Sequence, residues 1–282
     1  MIAERTAAAA PDVRQGRLDG TRVNVLGVGV SPVDIPMAAD TIDDWITRRT
    51  PAYVTVTGVH GVMESYDDPA LRQVHNEAGM VVPDGMPLVW LSHHHGFAHV
   101  DRVYGPDLML EVCRRSVAAG HRHFLYGGAE GVPELLAQRL GERFPGITFV
   151  DTYSPPFRPL SDEELDEVAA RIDASGADIV WVGLSTPKQE RWMASMVGRV
   201  TSAVLIGVGA AFDFHAGLKP QAPHWLQRRG LEWAYRLWCE PRRLWRRYLR
   251  NNPRFIALSL LQMSGARRFE LPNTPGTTAR KE

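Results

Sequence analysis

Five short runs rich in β-branched and apolar residues each lead into residues that could do chemistry. Met80–Val82 runs into Pro83-Asp84-Gly85, Ala52–Thr57 into Gly58-Val59-His60, and His123–Tyr126 into Gly127-Gly128. Asp178–Val182 is followed by Gly183 and then Pro187-Lys188-Gln189-Glu190. Ser202–Ile206 is followed by Gly207-Val208-Gly209 and then Phe212-Asp213. Glycine lets a backbone approach a ligand closely and offers N–H groups to phosphate. The set together suggests a nucleotide or sugar-nucleotide pocket. It is no dinucleotide fingerprint, because neither Gly27-Val28-Gly29 nor Gly207-Val208-Gly209 continues to a third glycine. Asp84 has two readings: an N-cap for a helix over Met86–His93, or a general base whose pKa is tuned by a partly buried strand end. Gln189, with Lys188 and Glu190, opens a helix either as a solvated first turn or as polar recognition of a sugar or nucleotide.

Two further clusters invite chemistry. His93, His94, His95 and His99 raise a metal site, but Gly96 interrupts the helical spacing and no acidic partner stands near, so a solvated loop is the better reading and no metal is expected. Between Leu218 and Arg268 lie twelve Lys and Arg residues against Glu232 and Glu240, a local charge of +10 inside a chain whose 32 basic and 32 acidic residues cancel. Arg243 to Arg250 repeat at helical spacings beside Leu244, Trp245, Tyr248 and Leu249. Such a helix could lie on a membrane surface, hold a diphosphate, or dock on the acidic body through its aromatics. Nucleic acid is the weaker partner because no reader fold precedes the segment.

The elements that must position these residues follow from length and periodicity. At 282 residues, 44% apolar and 23% charged, the chain is an ordinary globular one, large enough for a real core. Two cysteines, Cys113 and Cys239, exclude a disulfide framework and fit a reducing, cytoplasmic compartment. No window reaches the roughly 18 apolar residues that a spanning helix needs. Strands at Arg22–Val30, Ala52–Thr57, Met80–Val82, His123–Tyr126, Ile147–Val150, Asp178–Val182 and Ser202–Ile206 are expected. They alternate with helices at Pro36–Arg49, Pro69–Glu77, Pro106–Ala119, Val132–Phe144, Ser161–Ser175 and Pro187–Val197, the fifth opened by a Ser161/Glu164 capping box. This alternation implies an α/β, Rossmann-like fold, a mostly parallel sheet with helices on both faces and its ligand beyond the carboxyl strand ends. The expected division is a disordered leader over 1–20, an α/β catalytic domain over 21–217, a basic, aromatic helical appendage over 218–268 and a disordered tail over 269–282. Pro241 and Pro253 should split the appendage into about three short helices.

Seven of these motifs, in order, resemble the WecG/TagA/CpsF family of bacterial glycosyltransferases. They are Thr55-Val56-Thr57, Pro83 to Trp90, Arg102 to Leu108, Tyr126-Gly127-Gly128, Pro187 to Glu190, Gly207 to Asp213 and Leu231 to Pro241. The resemblance implies inverting transfer of N-acetylmannosamine or a related sugar from a UDP donor to an undecaprenyl-diphosphate-linked acceptor. It implies peripheral contact with the cytoplasmic face of the membrane, no cofactor or metal, a role in surface glycopolymer assembly, and possible self-association. It assigns the base to Asp84, with Thr55 and Thr57 beside it. Arg102 and Gln189 match substrate-binding positions, Asp213 with the glycines around it matches the donor pocket, and Gly127, Gly128, Gly183, Lys188 and Gly209 are counted with the substrate-binding residues. Arg236, Arg243 and Arg246 fall on C-terminal arginines that reach over the site toward diphosphate. Two positions depart from the pattern: Thr57 stands where an Asn is usual, and Gln221 where an Arg is. A non-catalytic sugar-nucleotide-binding or membrane-scaffold protein is the alternative; it would keep the glycine-rich pocket but need no Asp84.

Overall fold

The strands expected between residues 52 and 207 line up as one sheet in the computed structural model, which describes residues 20–271 apart from the side chains of His224, Arg228 and Arg243. They are Ala52–Thr57 (β3), Met80–Pro83 (β4), Arg122–Gly127 (β5), Thr148–Tyr153 (β6), Ile179–Gly183 (β7) and Val204–Gly207 (β8). The order is β4-β3-β8-β7-β5-β6 and every neighbouring pair is parallel. Helices Ile35–Thr47 (α1), Val59–Asp67 (α2), Pro69–Glu77 (α3), Met86–His94 (α4), Gly105–Ala119 (α5), Val132–Arg143 (α6), Asp162–Ser175 (α7), Lys188–Ser195 (α8) and Ala211–His215 (α9) accompany the sheet. Side chains alternate across a strand, so each face needs its own cover. Tyr126, Val180 and Val182 pack into one core with Trp192 and Met193, while Val54, Leu125 and Trp181 pack into a second with Ile42, Leu108 and Leu136. The Rossmann-like α/β reading holds, as does the capping box: Ser161 Oγ accepts from the Glu164 amide and Glu164 returns an acceptor to the Ser161 amide.

Two expectations are corrected, and one helix was not foreseen. Arg22–Val30 is no sheet strand but a separate hairpin, Val23–Val25 (β1) against Val28–Val30 (β2), turned by Leu26 and Gly27, both at positive φ. Gly58-Val59-His60 is the start of α2, a helix whose buried residues Val62, Met63 and Ser65 fall on one side. Pro253 does not break the appendage. Its helices are His224–Arg228 (α10), Glu232–Cys239 (α11) and a continuous Pro241–Met263 (α12) with Pro253 inside. Proline costs one helical hydrogen bond there; α12 offsets it by burying Leu244, Asn251, Phe255 and Ser259 and by pairing Arg250 and Arg254 with Asp67 of α2.

The far end of α12 is fastened to the hairpin. Gln262 accepts from the Leu26 amide and donates to the Asn24 carbonyl. Phe269, expected in the disordered tail, sits edge-on to Tyr66 at 6.1 Å. Residues 272–282 of that tail and residues 1–19 of the leader lie outside the described residues. Among the described residues no helix is long and apolar enough to cross a membrane.

At the carboxyl end of β7 the packing leaves no room for a side chain: a Cβ on Gly183 would lie 2.5 Å from the ring of Phe212, which is fully buried. Gly183→Ala is therefore expected to lower the unfolding free energy by about 1–3 kcal/mol through forced repacking. Urea denaturation followed by circular dichroism measures it, and an unchanged midpoint would refute the account.

Candidate active site

Beyond the carboxyl edge of the sheet lies a cleft of 2390 Å³, walled below by strand ends and above by α11 and α12. Gly58, Asp84, Gly128, Gly183, Gly207 and Gly209 line its floor, with Lys188, Gln189 and Asp213 beside them; Arg236, Arg247 and Tyr248 come from the appendage. The structure thus brings most of the expected residues into one space. Gly127 is not on its surface. It pairs with Gly183 in register, where a Cβ would meet the neighbouring backbone at 2.7 Å, so its glycine serves strand packing.

Asp84 stands where β4 ends. Its amide donates to the Thr57 carbonyl at 2.9 Å, and the Val103 amide donates to the Pro83 carbonyl at 2.9 Å, which fixes the turn between two neighbours. Gly85 follows with φ at 147°, a conformation open to glycine. Helix α4 takes Gly85 as its N-cap and receives no side-chain cap, so the N-cap reading of Asp84 does not hold. The carboxylate, about three-quarters buried, turns into the cleft instead.

There it meets Arg102. Arg102 Nη2 donates to Asp84 Oδ1 at 3.0 Å and to Glu232 Oε2 of α11 at 2.5 Å. The guanidinium lies over the Tyr104 ring at 4.2 Å, and the buried Tyr104 hydroxyl has no hydrogen-bond partner among the described residues. Burial raises the Asp84 pKa above the ordinary value; Arg102 opposes that rise and the charge of Glu232 adds to it. His60, on the same wall, is held down at about 4 by burial and then by Arg247 and Arg236, so it is neutral at pH 7.

Gln189 is almost fully buried at the start of α8. Its amide nitrogen donates to Glu190 Oε1 at 3.0 Å, which also accepts from the Thr186 hydroxyl at 2.9 Å. That bond orients the amide and leaves Gln189 Oε1 unpartnered among the described residues, against the Gly207–Gly209 turn. An orphaned buried acceptor at a glycine turn suits a ligand that donates a hydrogen bond. Asp213 is paired with Lys219 at 2.7 Å.

Three expected residues fall elsewhere. Thr55 and Thr57 are fully buried and bonded to each other at 3.2 Å, beneath the floor and not among the lining residues. Arg246 points outward over Trp245 at 5.3 Å, and its neighbour Arg247 reaches the cleft. The Arg243 side chain lies outside the described residues. Of the three readings of the arginine helix, docking through its aromatics is the one that Trp238, Trp245 and Leu249 do not follow, for all three are exposed. The sequence reading set His60 beyond a strand end and Tyr104, Glu232 and Arg247 within its motifs, but gave none of the four a role in the site. Arg247 was signalled by the spacing of Leu244, Tyr248, Asn251 and Phe255, which marks the docked face; Glu232 had only its position four residues before Arg236 as a clue.

His93 and His99 each contact a backbone carbonyl, of Val100 and Pro32 respectively, and no group of three or more His, Cys, Asp or Glu side chains among the described residues could hold a metal ion.

Residues 23–269 match the family described as glycosyl transferase WecG/TagA/CpsF. The chain belongs to that family. It is a glycosyltransferase. An N-acetylglucosaminyldiphosphoundecaprenol N-acetyl-beta-D-mannosaminyltransferase of Bacillus spizizenii (strain W23) is 31% identical over 216 residues, 77% of this chain and 81% of the relative. A protein of the same name from Staphylococcus aureus (strain MRSA252) is 26% identical over 242 residues, 85% of this chain and 92% of the relative. The match spans the α/β body and the appendage alike, so the elements that wall the cleft all lie within the matched residues.

The outward turn of Arg246 and inward turn of Arg247 make opposite demands. Arg247→Gln is expected to weaken binding of inorganic diphosphate, as a probe of the cleft, about tenfold, the loss of one charge-assisted contact. Arg246→Gln should leave that binding unchanged. Calorimetric titration with diphosphate checks both; equal losses would place the helix in another register.

Proposed function

We propose that this glycosyltransferase moves N-acetylmannosamine or a related hexose, with inversion, from a UDP donor to a polyprenyl-diphosphate-linked acceptor. The work belongs to surface glycopolymer assembly at the cytoplasmic face of the membrane. The observation that carries the reading is Asp84: a carboxylate of raised proton affinity, in a glycine-lined cleft roofed by arginines. The names of the relatives support the donor sugar and the lipid-linked acceptor.

Asp84 takes the proton from the acceptor hydroxyl as that oxygen attacks the anomeric carbon. The anomeric carbon–oxygen bond to UDP breaks on the opposite face, and its electron pair stays on the departing β-phosphate. Arg236, Arg247 and Lys188 line the cleft and offset that charge. Gln189 Oε1 and the turns at Gly128, Gly183 and Gly209 form the donor pocket. Thr55 and Thr57 act from beneath, Thr57 through its carbonyl bond to the Asp84 amide.

The acceptor's lipid explains the outer surface of α12. Trp245, Leu249, Ile256, Leu260 and Met263 are exposed and fall on one stripe at helical spacing, with exposed Arg242 and Arg246 along its edge. An apolar stripe edged by arginine suits a helix lying in a headgroup layer. Ile256, Leu260 and Met263 also line the cleft, so its mouth opens onto the stripe.

Asp84→Asn is expected to cut UDP release from a UDP-sugar and a lipid-diphosphate acceptor by about 100- to 10,000-fold, with the unfolding midpoint retained. Near-normal turnover would overturn the base. For the unaltered protein kcat/KM should fall as pH drops through the raised Asp84 pKa, giving an acid limb above the ordinary carboxylate value of 3.8. Replacing Leu249 and Leu260 together by Glu should abolish binding to anionic phospholipid vesicles and spare UDP binding. Retained vesicle binding would rule out α12 as the membrane face.

A further inference from the structure

We infer that Glu232, acting through Arg102, is the residue by which the appendage positions Asp84, so that docking of the appendage and readiness of the base are one event. The inference rests on Asp84 being the base and adds a partner to it. A guanidinium carries five donors in a planar fork and pairs readily with both oxygens of one carboxylate. Arg102 does otherwise. One nitrogen, Nη2, serves two carboxylates, with the shorter bond to Glu232, while the buried Arg102 Nε has no partner among the described residues. Among the described residues Asp84 accepts at Oδ1, which leaves Oδ2 to the cleft. Glu232 is nearly buried, held between Arg102 and Arg236, and is the first residue of α11. Among the described residues, its hydrogen bond to the body's catalytic edge is this one to Arg102.

The groups facing Asp84 are Arg102 and Tyr104 from the segment before α5, and Glu232 and Arg236 from α11; α2 adds His60 to the same wall. With Glu232 in place, the body's arginine is divided and the charge acting on Asp84 next after Arg102 is negative. Without it, the whole fork is free to close on Asp84, which would bind the carboxylate as an ion pair, occupy Oδ2 and weaken it as a proton acceptor. The interaction therefore makes an undocked body a poor base and a docked one a competent base.

The test is a pH–rate profile of the full chain on lipid-diphosphate acceptor in anionic vesicles, for the unaltered protein, Glu232→Gln, Glu232→Asp and Asp84→Asn. Glu232→Gln should move the acid limb of kcat/KM about one unit lower, a tenfold change in proton affinity, and lower the plateau kcat with vesicle binding retained. Glu232→Asp keeps the charge and should keep the limb in place. An unmoved limb in Glu232→Gln while Asp84→Asn is inactive overturns the inference and leaves the base standing. Equal loss of kcat in both Glu232 variants at a fixed limb would make Glu232 a strut only, and also overturns it. An active Asp84→Asn fails the base itself, independently of Glu232.

Discussion

One guanidinium holds the working end of this molecule together. Arg102 faces a carboxylate from the end of a sheet strand and another from a helix 130 residues later in the chain. Three charges in a half-buried space are costly unless each finds a counterpart. The arrangement meets that demand with two acids on one base and Arg236 close by. The rest of the site answers to it: the turn at Gly85 aims Asp84, the Tyr104 ring supports the flat face of Arg102, and α11 must dock for Glu232 to arrive. This contact runs against the charge asymmetry of the composition, since the appendage supplies the acid and the body the base, whereas Arg250 and Arg254 meet Asp67 in the sense the composition gives.

The parallel sheet was legible because its cue is local. Alternation in Ala52–Thr57 and the unbroken apolar run of Asp178–Val182 need no knowledge of the partner strand. Asp84 was legible as a candidate because position beyond a strand end is itself a statement about the cleft. The failures share a different cause. Leu26 adopts a left-handed conformation that is rare for a residue with a side chain, so the run from Arg22 to Val30 hid its own turn. Arg246 and Arg247 differ by 100° around a helix, and which of them enters the cleft depends on where Leu244, Asn251 and Phe255 find burial. Glu232 and Tyr104 gain their meaning only from Arg102, which is distant in sequence for one and adjacent in space to both. Thr55 and Thr57 show the reverse: polar residues at a strand end can be internal bonding for the sheet.

Glycines in the site divide into two kinds. Gly127 and Gly183 are small because strands and Phe212 crowd them; for Gly127 the value is mechanical, while Gly183 also lines the cleft. Gly85 is glycine because its backbone angle directs the chain after Asp84. Counting glycines at strand ends signalled a ligand pocket for mixed reasons, some of them owing nothing to ligand.

The cleft and the apolar stripe of α12 share Ile256, Leu260 and Met263 along a common rim. A substrate tail lying on that rim would never have to enter water between arrival and departure. The two products of a transfer would then part in perpendicular directions, the extended lipid sliding sideways within its bilayer and the free nucleotide leaving into solvent. Neither exit would obstruct the other.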